Sequence, residues 1–260
     1  MAGPRLEFHN VTKRFANPRQ GSVVVAVEGV SLAIADGEVV SLIGPSGCGK
    51  STLLNMGSGL DPASSGEVFV DGVLVTRPNR QVAFMLQKDL LLPWRTIVEN
   101  VELGQEILGL PKRERRQKAL DLLAKCRLPD FAHHYPHQLS GGMRQRAALA
   151  RTLAVDPSVL LMDEPFSALD AQTKMVLQQD LGRTLAETAK TALFITHDLV
   201  EAVALSDRIL VMSQRPGRII EEITVEIGDR ANPMKRRQHP MVATYVVRLM
   251  NLLQIEQAAA

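Results

Sequence analysis

The feature that most constrains this chain is one loop, Gly44-Pro45-Ser46-Gly47-Cys48-Gly49-Lys50-Ser51. It matches G-x-x-x-x-G-K-[ST] at every fixed position, follows the apolar run Val39–Ile43 and opens a helical pattern over residues 50–57. Glycines let successive backbone N–H groups curl around phosphate oxygens without side-chain clash, and the helix points its positive end at the same anion. Gly44, Pro45, Ser46, Gly47, Cys48 and Gly49 are therefore expected to cradle nucleotide phosphates. Lys50 is expected to neutralise the β- and γ-phosphates, the Ser51 hydroxyl to ligate Mg²⁺, and Thr52 to reach the α-phosphate. Alone, the loop fits a kinase, a GTPase or a motor equally well.

A second motif supplies carboxylates. The apolar run 159–162 ends in Asp163-Glu164. Paired carboxylates at the end of a buried strand repel unless a cation or proton intervenes, and ligands bind at the carboxyl edge of a parallel sheet. Asp163 is expected to hold Mg²⁺, directly or through water, and Glu164 to act as general base on the attacking water.

Leu139-Ser140-Gly141-Gly142-Met143-Arg144-Gln145-Arg146 narrows the class. A serine hydroxyl, two glycine N–H groups and a helix N-terminus make a second anion nest. The stretch resembles the signature of the ATP-binding-cassette (ABC) family, L-S-G-G-Q or a near variant. In that family two subunits pair head to tail, so the resemblance implies that Ser140, Gly141 and Gly142 of one copy cover the γ-phosphate held by the other. Four further positions match the family's order. Phe15 resembles the aromatic that stacks on adenine, more often Tyr, with a core Phe as the other reading. Gln87 resembles the Q-loop glutamine that touches Mg²⁺ and the lytic water. Ser167-Ala168-Leu169-Asp170 resembles the D-loop, with Asp170 crossing the dimer interface. His197 resembles the switch histidine on the γ-phosphate. The implied catalytic set is Glu164, His197, Gln87 and Lys50, the metal set is Ser51, Gln87 and Asp163, and the cofactors are ATP and Mg²⁺. Phe15 and Met143 depart from the commoner residues without removing a catalytic group. Cys48 predicts inhibition by thiol reagents if its thiolate is accessible, with ATP protecting it.

The rest of the chain suits an α/β fold: a P-loop ATPase core with a parallel sheet, an N-terminal antiparallel β subdomain and an inserted helical subdomain. Short strands are expected at 6–11, 23–27, 30–34, 38–43 and 82–85, and a hairpin arm at 67–70 before Asp71-Gly72. The pattern is helical from Thr96 to about Arg127, broken at Pro111, and again over 139–155. Strands at 159–162, 191–196 and 208–212 then alternate with helices at 169–188 and 198–205, as in a parallel sheet. A terminal helix is expected at 241–254. The chain is read as one ABC ATPase domain over 1–260. Residues 1–87 and 157–225 form the core with its β subdomain, 88–156 the helical subdomain, and 226–260 a helical tail.

Composition now separates kinds of cassette. Lys and Arg total 30 against 28 Asp and Glu, and aromatics are 4%, which disfavours nucleic acid as a partner. No apolar run approaches the roughly 20 residues of a spanning helix. The N-terminus lacks the apolar core of a signal peptide, and two cysteines make no disulfide framework. The membrane crossing is therefore expected from separate permease subunits, with this chain peripheral on the cytoplasmic side of a bacterial inner membrane. Only 63 residues follow His197, too few for the regulatory domain of sugar-importer ATPases. Leu91-Leu92-Pro93-Trp94-Arg95-Thr96, Gln214-Arg215-Pro216-Gly217-Arg218-Ile219 and Met143 resemble the nitrate/sulfonate/taurine group of importer ATPases. That implies an indirect partner, a periplasmic or extracellular solute-binding protein. An exporter, a lipid-transport complex or a soluble nucleic-acid-linked cassette are the alternatives. Trp94 has two readings, a docking contact for the permease or a core anchor. The basic residues Lys112, Arg113, Arg115, Arg116 and Lys118 read as a solvated face. So do Arg230, Lys235, Arg236 and Arg237, with anionic lipid headgroups as a second reading.

Overall fold

The computed structural model describes residues 3–17, 22–167 and 169–253; Ala168 and Gln254, both within expected elements, lie outside them. Four strands, β1 (Leu6–Asn17), β2 (Ser22–Ile34), β4 (Ser65–Val70) and β5 (Val73–Leu74), form an antiparallel sheet in the order β2-β1-β4-β5. The hairpin from β4 to β5 turns on Asp71 and Gly72, whose φ of 51° and 73° are both positive, as a two-residue primed turn requires. The strands expected at 23–27 and 30–34 are one strand. Gly29, at φ 62°, bulges it without ending it, and β1 shifts register opposite and runs on past Val11.

The second sheet has the order β10-β9-β3-β8-β7-β6, built from β3 (Val39–Ile43), β6 (Val82–Met85), β7 (Val159–Asp163), β8 (Thr191–Ile195), β9 (Arg208–Met212) and β10 (Ile219–Thr224). The pairs among β9, β3, β8, β7 and β6 are parallel. β3, β7 and β8 are buried at every position, which is why they read as unbroken apolar runs rather than alternating ones. β10 has no counterpart among the expected strands. It is an antiparallel edge strand with half its residues polar, a pattern that reads as loop.

Helices cover both faces. α1 (Lys50–Ser58) packs Leu53 and Leu54 between the two sheets, against Phe8 and Leu161. α4 (Gly141–Ala154) and α5 (Ala171–Glu187) cover the opposite face through Ala148, Leu149, Leu177 and Leu181. α2 (Ile97–Ile107), started by a Thr96/Glu99 capping box, and α3 (Lys112–Lys125) build their own core with α4 around Val101, Leu123 and Ala147. α6 (Leu199–Leu205) and α8 (Met241–Leu252) close the β9–β10 edge, with α7 (Pro233–Arg237) packed alongside. No described helix is long and apolar enough to cross a membrane.

Neither basic cluster is simply a solvated face. Arg115 and Arg116 pair with Glu102, which is 2% exposed. In the tail, Arg236 is buried and donates to the Ala204 and Ser206 carbonyls, Arg230 pairs with Asp207, and Arg237 donates to Gln178. These arginines satisfy backbone and side-chain acceptors inside the fold, so they are not available to a lipid surface; Lys235 stays exposed.

Candidate nucleotide site

The cradle is built where β3 hands over to α1. Gly49 has φ 109°, and a Cβ there would lie 2.8 Å from the Ala26 carbonyl oxygen and 2.8 Å from Val27 Cγ2, so only glycine fits. No side chain caps α1, which leaves its first N–H groups free to face an anion. Lys50 is buried and its Nζ donates to the carbonyls of Gly44 at 2.8 Å and Pro45 at 2.9 Å. Its charge therefore already lies inside the loop. A cavity of about 470 Å³ opens above, lined by Ser46, Lys50, Ser51 and Thr52 and also by Phe15, Glu164 and His197. Phe15 is 42% exposed, which sets aside its reading as a core residue, and the Lys13 ammonium lies 5.3 Å from its ring centroid. Cys48 is 1% exposed, so the accessible thiolate required for thiol inhibition is not present.

Asp163 ends β7 and is 7% exposed. Burial pushes its carboxyl up from the usual carboxylate range, opposed by a hydrogen bond with the Ser51 hydroxyl and by the Lys50 charge. Glu164 follows in the left-handed region at φ 49°, with its N–H donating to the Ile195 carbonyl at 3.1 Å. That turn brings its carboxylate to two partners from neighbouring strand ends. Gln87 Nε2, just beyond β6, donates to Glu164 Oε2 at 3.0 Å, and His197 Nε2, just beyond β8, lies 2.5 Å from Oε1. Adjacent parallel strands β6, β7 and β8 thus deliver an amide, a carboxylate and an imidazole to one point beside the cradle.

The remaining predicted residues stand apart from that cavity. Ser140 caps α4, its Oγ accepting from the Met143 N–H at 3.3 Å, and Ser140 and Gly141 are exposed. Ser140, Gly141 and Gly142 do not line the nucleotide cavity. A Cβ on Gly142 would sit 3.1 Å from Leu169 Cδ2, so this nest lies beside the segment leading to Asp170. Asp170 is exposed and caps α5 by accepting from the Thr173 N–H at 2.9 Å.

Two sets of residues were not singled out for the site by sequence. The Arg215 guanidinium lines the cavity and donates twice to the Gly47 carbonyl, at 2.8 and 3.1 Å. Gly217 seats that loop against the cradle, donating its N–H to the Ala26 carbonyl at 2.9 Å. The Pro216-Gly217 pair a few residues after a core strand is the signal available in sequence. Along α4, Arg144 pairs with Asp89 at 3.0 Å, Gln145 donates to the Gln87 carbonyl at 3.3 Å, and Arg151 donates to the carbonyls of Leu90 and Asp89. In the loop they hold, Leu90 is 54% exposed and Trp94 is 71% exposed, so Trp94 is not a core anchor.

Known proteins are similar to this chain in sequence and fold. Residues 27–167 match the family described as ABC transporter. The taurine import ATP-binding protein TauB of Yersinia pestis is 46% identical over 205 residues, 79% of this chain and 80% of that one. An ABC transporter ATP-binding protein of Methanocaldococcus jannaschii, MJ0412, is 44% identical over 223 residues, 86% of this chain and 83% of its own. Among solved structures, the ATP-binding cassette MJ0796, seen as a dimer after hydrolysis with ADP and Pi, aligns with a TM-score of 0.78 at 35% identity, covering 86% of this chain and all of that one. On this likeness the chain belongs to the ABC transporter family as an ATP-binding, ATP-hydrolysing cassette.

Proposed function

We propose that this cassette is the ATPase subunit of a bacterial importer, energising uptake of a small nitrate-, sulfonate- or taurine-like solute through separate permease subunits. The observation that carries the hydrolytic reading is the meeting of Gln87 and His197 on Glu164 at the cavity that also holds Lys50 and Ser51. The direction and solute class rest on relatives named for taurine import.

In this reading the adenine stacks on Phe15 and the phosphates lie along residues 44–52. Lys50 exchanges the carbonyls of Gly44 and Pro45 for phosphate oxygens, so its charge is positioned before the substrate arrives. Glu164 accepts a proton from the attacking water as general base. His197 and Gln87 hold that carboxylate in place and contact the γ-phosphate end. Ser51 and Asp163, with Gln87, fit a magnesium ion. A single buried carboxylate hydrogen-bonded to a hydroxyl suits a small hard cation that keeps waters and phosphate oxygens as its other ligands. When bound, Mg²⁺ supplies neutralisation of the β- and γ-phosphate charge.

The exposed nest at Ser140, Gly141 and Gly142, absent from the chain's own cavity, faces the γ-phosphate of a second copy in a head-to-tail dimer, with Asp170 at the interface. Leu90 and Trp94 offer apolar surface to the permease. The complex sits on the cytoplasmic face of the cell membrane, fed by a solute-binding protein outside, with no nucleic-acid partner.

Glu164→Gln tests this reading. Turnover is expected to fall roughly 10²–10⁴-fold, the usual worth of a general base, while ATP-bound dimer accumulates on size exclusion. Robust hydrolysis in that variant refutes the base assignment. Stimulation of turnover by DNA or RNA, and not by a permease, refutes the transport reading.

A further inference from the structure

His197 lies directly before Asp198, the N-cap of α6, so whatever orients that helix orients the histidine. Both ends of α6 are held from outside it. At its start, Asp198 accepts from the Glu201 N–H at 3.0 Å and from Lys174 Nζ at 2.8 Å. Lys174 also pairs with Glu201 Oε2 at 2.8 Å, and Glu201, 2% exposed, accepts there from Gln178 Nε2 at 2.8 Å. Gln178, 1% exposed, accepts in turn from Arg237 Nη2 of α7. At the far end, Arg236 donates to the Ala204 carbonyl at 3.2 Å and the Ser206 carbonyl at 3.0 Å. Lys174, Asp198 and Glu201 line a cavity of about 290 Å³ together with Glu164 and His197. Burial pushes the Glu201 carboxyl up, and the Lys174 pairing opposes it. Removing one partner from a buried, hydrogen-bonded charge is costly, and Arg237, Gln178, Glu201, Lys174 and Asp198 form one continuous bonded chain from α7 to the start of α6.

We infer that α7 is a strut that sets the position of His197, with Arg237 and Gln178 as positioning residues for the hydrolytic step. The inference rests on His197 contacting the γ-phosphate. It gives the tail a role inside the ATPase cycle, beyond closing the β9–β10 edge.

The test uses the full chain and the variants Arg237→Ala, Arg237→Lys, Gln178→Met and His197→Ala, each measured for kcat, KM for ATP, affinity for a fluorescent ADP and melting temperature. Arg237→Ala and Gln178→Met are expected to lower kcat about tenfold with KM and ADP affinity within about twofold of wild type. Arg237→Lys, which keeps a donor, is expected to restore most of kcat. A loss of packing alone would lower the melting temperature and nucleotide binding together and would not give that split. Wild-type kcat in both variants overturns the inference, and so does a fall in kcat matched by an equal loss of ADP affinity. If Arg237→Ala does not fold, Gln178→Met decides alone. An inactive His197→Ala beside a fully active Gln178→Met sinks the strut and leaves the catalytic reading standing. A fully active His197→Ala sinks both.

Discussion

Gly217→Ala asks whether the phosphate cradle depends on the loop behind it. A Cβ at this position would lie 2.1 Å from the Cys48 carbonyl oxygen and 2.5 Å from Met212 Cε. The methionine end can swing away, but the carbonyl belongs to the cradle. The loop must therefore back off, and it carries two backbone bonds, Gly217 N–H to the Ala26 carbonyl at 2.9 Å and Glu28 N–H to the Gly217 carbonyl at 3.0 Å. Losing them costs about 1 kcal/mol each, and overpacking adds about 1–3 kcal/mol. A total near 4 kcal/mol lowers the melting temperature by roughly 8–16 °C for a chain of this size. Arg215, two residues upstream, moves off the Gly47 carbonyl at the same time, so the KM for ATP rises. Differential scanning fluorimetry and an ATP titration of steady-state turnover read the two effects. A variant melting within about 1 °C of wild type with an unchanged KM refutes the argument that this contact holds the cradle.

Two further predictions concern exposure. Burial pushes the Cys126 thiol up to about 12, so at pH 8 its thiolate is on the order of one part in 10⁴. Cys48 is shielded by packing. Native protein is expected to react slowly with a thiol reagent at pH 8 and to show both thiols after denaturation; labelling of Cys126 should accelerate as pH rises toward its raised pKa. Rapid labelling of Cys48 in the absence of nucleotide, blocked by ATP, would show that the cradle opens further than this structure does. Trp94→Ala should leave turnover of the isolated subunit unchanged and weaken co-purification with the permease; unchanged assembly refutes the docking role.

What could be read from sequence follows the geometry of strand ends. Asp163, Glu164, His197 and Gln87 each close or follow a short apolar run, and runs that are buried on both faces are the easiest elements to see. Their meeting was legible because parallel strands deliver their carboxyl ends to one edge. β10 was not legible, because Ile219-Ile220-Glu221-Glu222-Ile223-Thr224 neither alternates polar and apolar residues nor forms an unbroken apolar run. The tail arginines misled for a different reason. A run such as Lys235, Arg236 and Arg237 carries no mark of burial in its own pattern. The acceptors that draw Arg236 and Arg237 inward are the Ala204 and Ser206 carbonyls and Gln178, far away in sequence. Arg215 escaped similarly: its partner is a backbone carbonyl, which no residue pattern records.

The division of the site between two places in the chain also sets how its parts must move together. α4 begins at the exposed serine–glycine nest, and further along the same helix Arg144, Gln145 and Arg151 hold the backbone and side chain of residues 87–90. A rigid-body displacement of α4 would therefore carry the nest and the Gln87 carbonyl together. Gln87 in turn donates to Glu164, while Leu90 and Trp94 lie exposed a few residues on. The loop is thus held at two points, the carboxylate at the cavity and the helix that carries the nest, and beyond them it presents a free apolar surface. A partner pressing on Leu90 and Trp94 would act on Glu164 and on the nest through the same short segment. A nucleotide that draws the nest toward a second copy would act back on that surface by the same route. Such coupling would need no separate relay, because one short segment is bonded both to Glu164 and to α4.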